Sequence, residues 1–198
     1  MKYLRLFCLA LFLFPFGCKA SNFDSAVLKV LNHEGFLVHD RSDKGGITNY
    51  GISYLYLRDL VNKSPEILSL IDIDGVPGLT VGDLEKMKIE DAIYIYRHYW
   101  WDLLGYGNIK NQVLAEKLLD MSINMGSHEA HLILKKSYEE VMKRYYKNFN
   151  DLNKLSLLDI HRLLREIRSN QADFYELLVK KHPVYKKFLA GWLKRASE

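Results

Sequence analysis

Residues 33–52 read HEGFLVHDRSDKGGITNYGI. This stretch holds one Glu, two Asp, two His, four Gly, one Thr and one Tyr, in a chain that otherwise carries the spacing of amphipathic helices. Two readings compete for it. In one it is a polar surface loop whose glycines make turns; in the other it delivers carboxyl groups to a cleft. Glu34 follows Val30 and Leu31 at the end of a helical pattern, and a carboxyl against apolar walls has its charged form disfavoured and can serve as a general acid. Nine residues on, Asp43 sits among Ser42, Lys44 and Gly45, a polar setting that keeps a carboxylate ionised. Two carboxyls in opposite environments suit the cleavage of a glycosidic bond. Spacing alone does not decide between this and a solvated helix end followed by a turn.

Outward from this stretch the pattern is helical. Asn22 to Asn32 places Phe23, Val27, Val30 and Leu31 on one face, with Ser21 or Asn22 as N-cap and Gly35 as a stop. Gly45-Gly46 and Gly51 punctuate the stretch, where a Gly-rich catalytic loop or short hairpin is expected. Helical spacing returns at Ser53 to Asn62, Pro65 to Ile71 and Ile89 to Leu104, then at Gln112 to Met125, His128 to Tyr146, Ser156 to Lys181 and Val184 to Ala196. With 198 residues, 48% of them hydrophobic and 26% charged, and no linker or internal repeat, the chain reads as one all-α domain. The net charge of +4 favours an anionic partner without choosing among cell-wall polymer, nucleic acid and membrane surface.

Residues 1–20 stand apart. Lys2 and Arg5 precede an apolar run from Leu6 to Phe14 that is too short to span a bilayer, as in a secretory signal peptide, and cleavage after Ala20 suits a small-residue site. Gly17-Cys18 also resembles the end of a lipoprotein box, in which Cys18 would be lipidated and anchor the chain to a membrane; Pro15 and Phe16 fit that box poorly. Both cysteines lie in this segment, so a chain beginning after Ala20 has no disulfide and depends on its core.

The run E-G-F-x4-R-S-D-K-G-G-I-T-N-Y-G-I resembles the signature of glycoside hydrolase family 108, N-acetylmuramidases of bacteria and phages, in which E-G-G is followed by D-x-G-G-x-T-x-x-G-I. Three further segments match in order. Ile95-Tyr96-Arg97 with Tyr99-Trp100 is similar to the family's I-Y-R-x-x-Y-W, Leu119 to Gly126 to its D-M-x-x-N-x-G, and Phe188 to Arg195 to its F-x-x-G-W-x-x-R. The resemblance implies a lysozyme-like helical fold, with residues 21–108 as the catalytic half and 109–198 as a peptidoglycan-binding-like half of the same compact domain. It implies cleavage of peptidoglycan glycan strands, with Glu34 as general acid; the spacing of Asp43 from Glu34 also resembles the Glu, Asp and Thr arrangement of phage lysozymes, with Thr48 near the third position. Tyr50, Tyr99, Trp101 and Asn124 are then the candidate substrate contacts. No cofactor, no metal and no nucleic acid is expected, the chain is expected to be monomeric, and its place would be the periplasm or cell envelope, lipid-anchored or secreted. A lytic transglycosylase and a non-catalytic wall-binding or secretion-accessory protein are the alternatives. Two departures bear on this. Phe36 stands where the family has its second Gly, and residues 129–155 hold no counterpart of the family's D-G-x-x-G-x-x-T.

Other constellations carry less. Tyr94, Tyr96, Tyr99, Trp100, Trp101 and Tyr106 form an aromatic cluster that helical spacing buries only in part, and Trp101, off the main apolar face, is the better candidate to stack on a sugar. Asp72 to Thr80 has oxygen ligands at alternate positions, but Val76 and Pro77 replace the next ligand and the turn glycine of a calcium loop. His128-Glu129-Ala130-His131 lacks the spacing of a zinc motif. Arg97 is expected to pair with Asp102 rather than to hold substrate.

Overall fold

The computed structural model describes residues 21–34, 38–39, 47–145 and 155–198. Asn22 begins the first helix, α1 (Phe23–Glu34): its Oδ1 accepts from the N–H groups of Asp24 at 2.7 Å and Ser25 at 3.3 Å, donors that a helix start leaves unpaired. The face carrying Phe23, Ala26, Val27 and Val30 is buried. It packs on α6 (Gln112–Met125), which Asn111 caps by accepting from the Leu114 N–H at 3.0 Å and which ends at Gly126, at φ 90°. Every residue of α6 from Leu114 to Ser122 is buried. A helix buried on all sides forms the centre of its domain, and α6 has α1 on one flank and α7 (Ser127–Tyr145) on another. The layers continue with α8 (Leu157–Lys181) on α7 and α9 (Leu189–Ser197) on α8. Phe23 and Val30 of α1 share one apolar core with Leu114 and Leu118 of α6 and Leu163 and Ile167 of α8, so the two halves of the chain fold together.

A small antiparallel sheet follows α1, with strands β1 (Val38–His39), β2 (Ile47–Asn49) and β3 (Ile52–Ser53) in that order. Thr48 pairs with Val38 on one side and with Ser53 on the other. Asn49 pairs with Ile52 across a two-residue turn in which Tyr50 (φ 49°) and Gly51 (φ 78°) are both left-handed, the requirement of a type I′ hairpin. Ser53 both ends β3 and caps α2 (Tyr54–Lys63), accepting from the Tyr56 N–H at 3.1 Å. The hairpin foreseen near the N-terminus is therefore present as three short strands.

Beyond α2 come a 3-10 turn (Pro65–Ile67) and α3 (Leu68–Ile71), then α4 (Val81–Lys86), which periodicity did not foresee. Six residues are too few to show a helical period, yet Thr80 and Asp83 form a capping box. The helix expected over Ile89 to Leu104 is α5 (Ile89–Tyr96) followed by a wider π turn (Arg97–Asp102). That turn corrects the reading of Trp101. A 3.6-residue period puts Trp101 beside the apolar face, whereas the extra residue per turn brings both Trp100 and Trp101 inward. Trp101 is 4% exposed, its ring edge-on to Phe23 at 5.7 Å and to Tyr106 at 6.4 Å. The expected Arg97–Asp102 pair is corrected too: Arg97 reaches Asp24 at 3.7 Å and covers the Phe23 ring, and Asp102 lies 3.6 Å from His98. The architecture is a mainly helical, lysozyme-like single domain with one small sheet. Among the described residues no helix is long and apolar enough to cross a membrane.

Candidate active site

Glu34 is the last residue of α1. Its carboxyl, together with Asp43, Phe36 and Gly45-Gly46, lies outside what is described, as do residues 1–20 with Cys18. The neighbours that build the surroundings are described. His33, one residue earlier, lies between Asp120 of α6 and Glu198 beyond α9, at 3.0 and 2.6 Å. It lines an open cavity of about 380 Å³ together with Asn124 at the end of α6 and Phe188, Trp192 and Lys194 around α9. Asn124 is thus brought to the same cavity as the residue next to Glu34.

Two chains of contact hold the far wall of this cavity. The Arg195 guanidinium forks onto Asp120, with Nε 3.0 and 3.1 Å from the two carboxylate oxygens and Nη2 2.8 Å from Oδ1, and both residues are buried. Trp192 stacks on Tyr175 at 5.2 Å, and the Tyr175 hydroxyl donates to Asn124 Oδ1 at 2.5 Å while accepting from Gln171 at 3.0 Å. Asp120, Asn124, Trp192 and Arg195 all lie in the segments Leu119 to Gly126 and Phe188 to Arg195. Those segments therefore form one contact network. Asp120, Arg195 and His33 were missed as site residues, although the first two stood inside recognisable segments.

Lys117, one turn before Asp120, is buried and donates to the carbonyls of Arg195 and Ala196, each at 3.0 Å, which ties down the end of α9. Burial pushes its ammonium down to about 8, with Arg168 and Arg195 adding to the effect and Asp120 opposing it. Glu116 accepts from Lys29 at 2.6 Å and from Ser25 at 2.7 Å. Burial alone would raise this carboxyl, but these partners and Gln112 outweigh it and hold it below the ordinary range.

Thr48 lies in β2 and Tyr50 in the turn that follows it. Asn49, buried between them, donates to the carbonyl of Leu84 at 2.9 Å, and the Tyr96 hydroxyl donates to the Tyr50 carbonyl at 2.5 Å. The hairpin is thereby pinned to α4 and α5. Tyr99 is half-buried with its hydroxyl bonded to Ser64, and burial raises its pKa, with Glu66 and Tyr94 adding to the rise. Neither Tyr99 nor Trp101 lines the cavity shared by His33 and Asn124.

Asp72, Asp74 and Asp83 bring carboxylate oxygens within 4.8 Å of one another. The loop's own donors engage them. Asp83 accepts from the N–H groups of Ile73 at 2.7 Å, Asp74 at 2.9 Å and Thr80 at 2.8 Å, Asp74 accepts from Val76 at 2.7 Å, and Asp72 from Gly78 at 3.0 Å. Burial would raise the Asp83 carboxyl; the hydrogen bonds from Thr80, Asp74 and Ile73 prevail and lower it. Of the His128–His131 pair, His131 meets the Tyr106 hydroxyl at 2.8 Å, and burial first and His128 second lower its pKa.

A family model described as Glycosyl hydrolase 108 matches residues 27–126, half of the chain, from within α1 through the end of α6. The chain belongs to glycosyl hydrolase family 108. It is accordingly a glycoside hydrolase of the lysozyme-like kind that acts on peptidoglycan. The family 108 fold is echoed by the structure of Brucella abortus SagA, which is 19% identical, covers 88% of this chain and 89% of that one, and superposes with a TM-score of 0.60. No curated protein sequence matches.

Proposed function

We propose that this family 108 chain hydrolyses the bond between N-acetylmuramic acid and N-acetylglucosamine in the glycan strand. Glu34 protonates the leaving oxygen, and Asp43, or a water that it and Thr48 position, meets the oxocarbenium-like centre. Tyr50, Tyr99 and Asn124 are the proposed sugar contacts. The observation that supports the reading is that Glu34 ends α1 one residue after His33, and His33 lines a cavity with Asn124 and Trp192. The N-terminal twenty residues would export the chain to the cell envelope as a signal peptide, with lipidation of Cys18 as one route of retention there.

Digestion of purified sacculi with mass spectrometry of the soluble products tests this. The expected products carry reducing N-acetylmuramic acid ends, and Glu34→Gln lowers the rate by roughly 10² to 10⁴-fold. Products with 1,6-anhydro ends make the chain a lytic transglycosylase. Binding of sacculi without release of fragments makes it a wall-binding protein, and a Glu34→Gln variant as fast as the parent removes Glu34 from the chemistry.

A further inference from the structure

The imidazole of His33 joins two elements that lie far apart in the chain. Nδ1 is 3.0 Å from Asp120 Oδ1, and Nε2 is 2.6 Å from Glu198 Oε2. Ionised carboxylates only accept hydrogen bonds, so both contacts are made together when both ring nitrogens carry protons; a neutral ring gives up one of them. The Asp120 end is fixed, since that carboxylate is 8% exposed and already held by the Arg195 fork. The Glu198 end is tied from behind, where Arg168 donates to the Glu198 carbonyl at 2.9 Å.

This bridge falls where the apolar packing of α1 thins. Among the described side chains of the helix, Val30 is the last that is fully buried, and Leu31 is half-buried against the core. The final turn, with its unpaired carbonyl groups, is the part of a helix that frays. His33 ties this turn to Asp120 of α6 and to Glu198 beyond α9 through its two ring nitrogens.

We propose that His33 is a positioning residue for Glu34. Its ring, held between Asp120 and Glu198, fixes the last turn of α1 and with it the backbone of Glu34, the next residue. The proposal rests on the reading of Glu34 as general acid. Small misplacements of a reacting group cost large factors in rate, and α9, although remote in sequence, becomes part of what aims the acid.

The test uses the full chain with His33→Ala, His33→Gln and Glu198→Gln, measuring kcat and KM separately on sacculi well below the melting temperature. His33→Ala is expected to lower kcat roughly 10- to 100-fold with KM unchanged. His33→Gln, whose amide group can still donate to one carboxylate, recovers part of the loss, and Glu198→Gln gives a smaller fall. A His33→Ala variant with parental kcat and only a lower melting point overturns the positioning role. Independently of turnover, the ring nitrogen resonances of His33 report its contacts. A shift of these resonances in Glu198→Gln supports the bridge, and resonances that this substitution leaves unmoved overturn it. Should Glu34→Gln keep parental turnover, the acid assignment fails together with the role of His33 in aiming it, while the resonances still decide whether the bridge exists.

Discussion

The Tyr96 hydroxyl donates to the carbonyl of Tyr50 at 2.5 Å, tying a buried side chain of α5 to the one non-glycine residue with a left-handed backbone among those described. Tyr96 is fully buried, so its hydroxyl has no water to fall back on. Tyr96→Phe leaves the ring packing in place and removes the donor. The expected loss of stability is about 1 to 2 kcal/mol, measured by chemical denaturation. Because the bond also fixes the hairpin bearing Thr48, sacculus hydrolysis should fall further than the stability loss alone implies. Parental stability and activity in Tyr96→Phe would show that the hairpin does not depend on this bond.

Tyr50 occupies a position that a type I′ turn gives by preference to Asn or Gly. The aromatic residue costs backbone strain there, while its half-buried ring packs against the core. Tyr50→Asn relieves strain worth about 0.5 to 1 kcal/mol, offset by the lost ring packing, and should weaken binding to glycan strands. Thermal melts and sacculus pull-down measure the two effects separately. A variant that is folded and equally retentive removes Tyr50 from the substrate contacts.

The elements that the sequence made legible are those whose signals are local. The bounds of α6 follow from Asn111 before it and Gly126 after it, and the cap of α1 from Asn22. What stayed hidden has no local signal. The π turn at Arg97–Asp102 breaks the period by which faces are assigned, and α4 offers only one turn and a half of helix. The fork from Arg195 to Asp120 and the bridge from His33 to Glu198 join residues 75 and 165 positions apart. Spacing rules cannot see such pairs. The segments that resemble family 108 did point to them, because Asp120 and Arg195 sit in separate segments whose purpose becomes visible only when they touch.

Trp101 gives a direct check on that π turn. Enclosed by Phe23 and Tyr106, it also lies against Gly107, where an added Cβ would come within 2.9 Å of the indole nitrogen. Trp101→Ala should cost about 3 to 5 kcal/mol, and Gly107→Ala should destabilise by forcing the indole aside. Trp101→Phe, which keeps an apolar ring, should retain hydrolysis of sacculi at temperatures where it is folded. A Trp101→Phe variant that is as stable as the parent yet inactive would return this residue to the substrate site.

Lys117 sets a pH window. Burial holds its folded value near 8, below the ordinary 10.5. Between those values the unfolded chain binds more protons than the folded one, so stability rises as pH increases from about 8 to about 10.5, by an amount on the order of 3 kcal/mol. The neutral amine still donates to the Arg195 and Ala196 carbonyls, so α9 stays tied while the buried charge is relieved. Tyr106 acts in the opposite sense. Burial raises its hydroxyl to about 12, against an ordinary 10, so the stability it supplies is full below pH 10 and is lost as the pH climbs toward 12. Denaturation midpoints measured from neutral pH upward should therefore rise first and then turn down. Lys117→Met lacks the titrating group and should not show the rise. If the parent and Lys117→Met run parallel through the window, the ammonium is not buried as a charge.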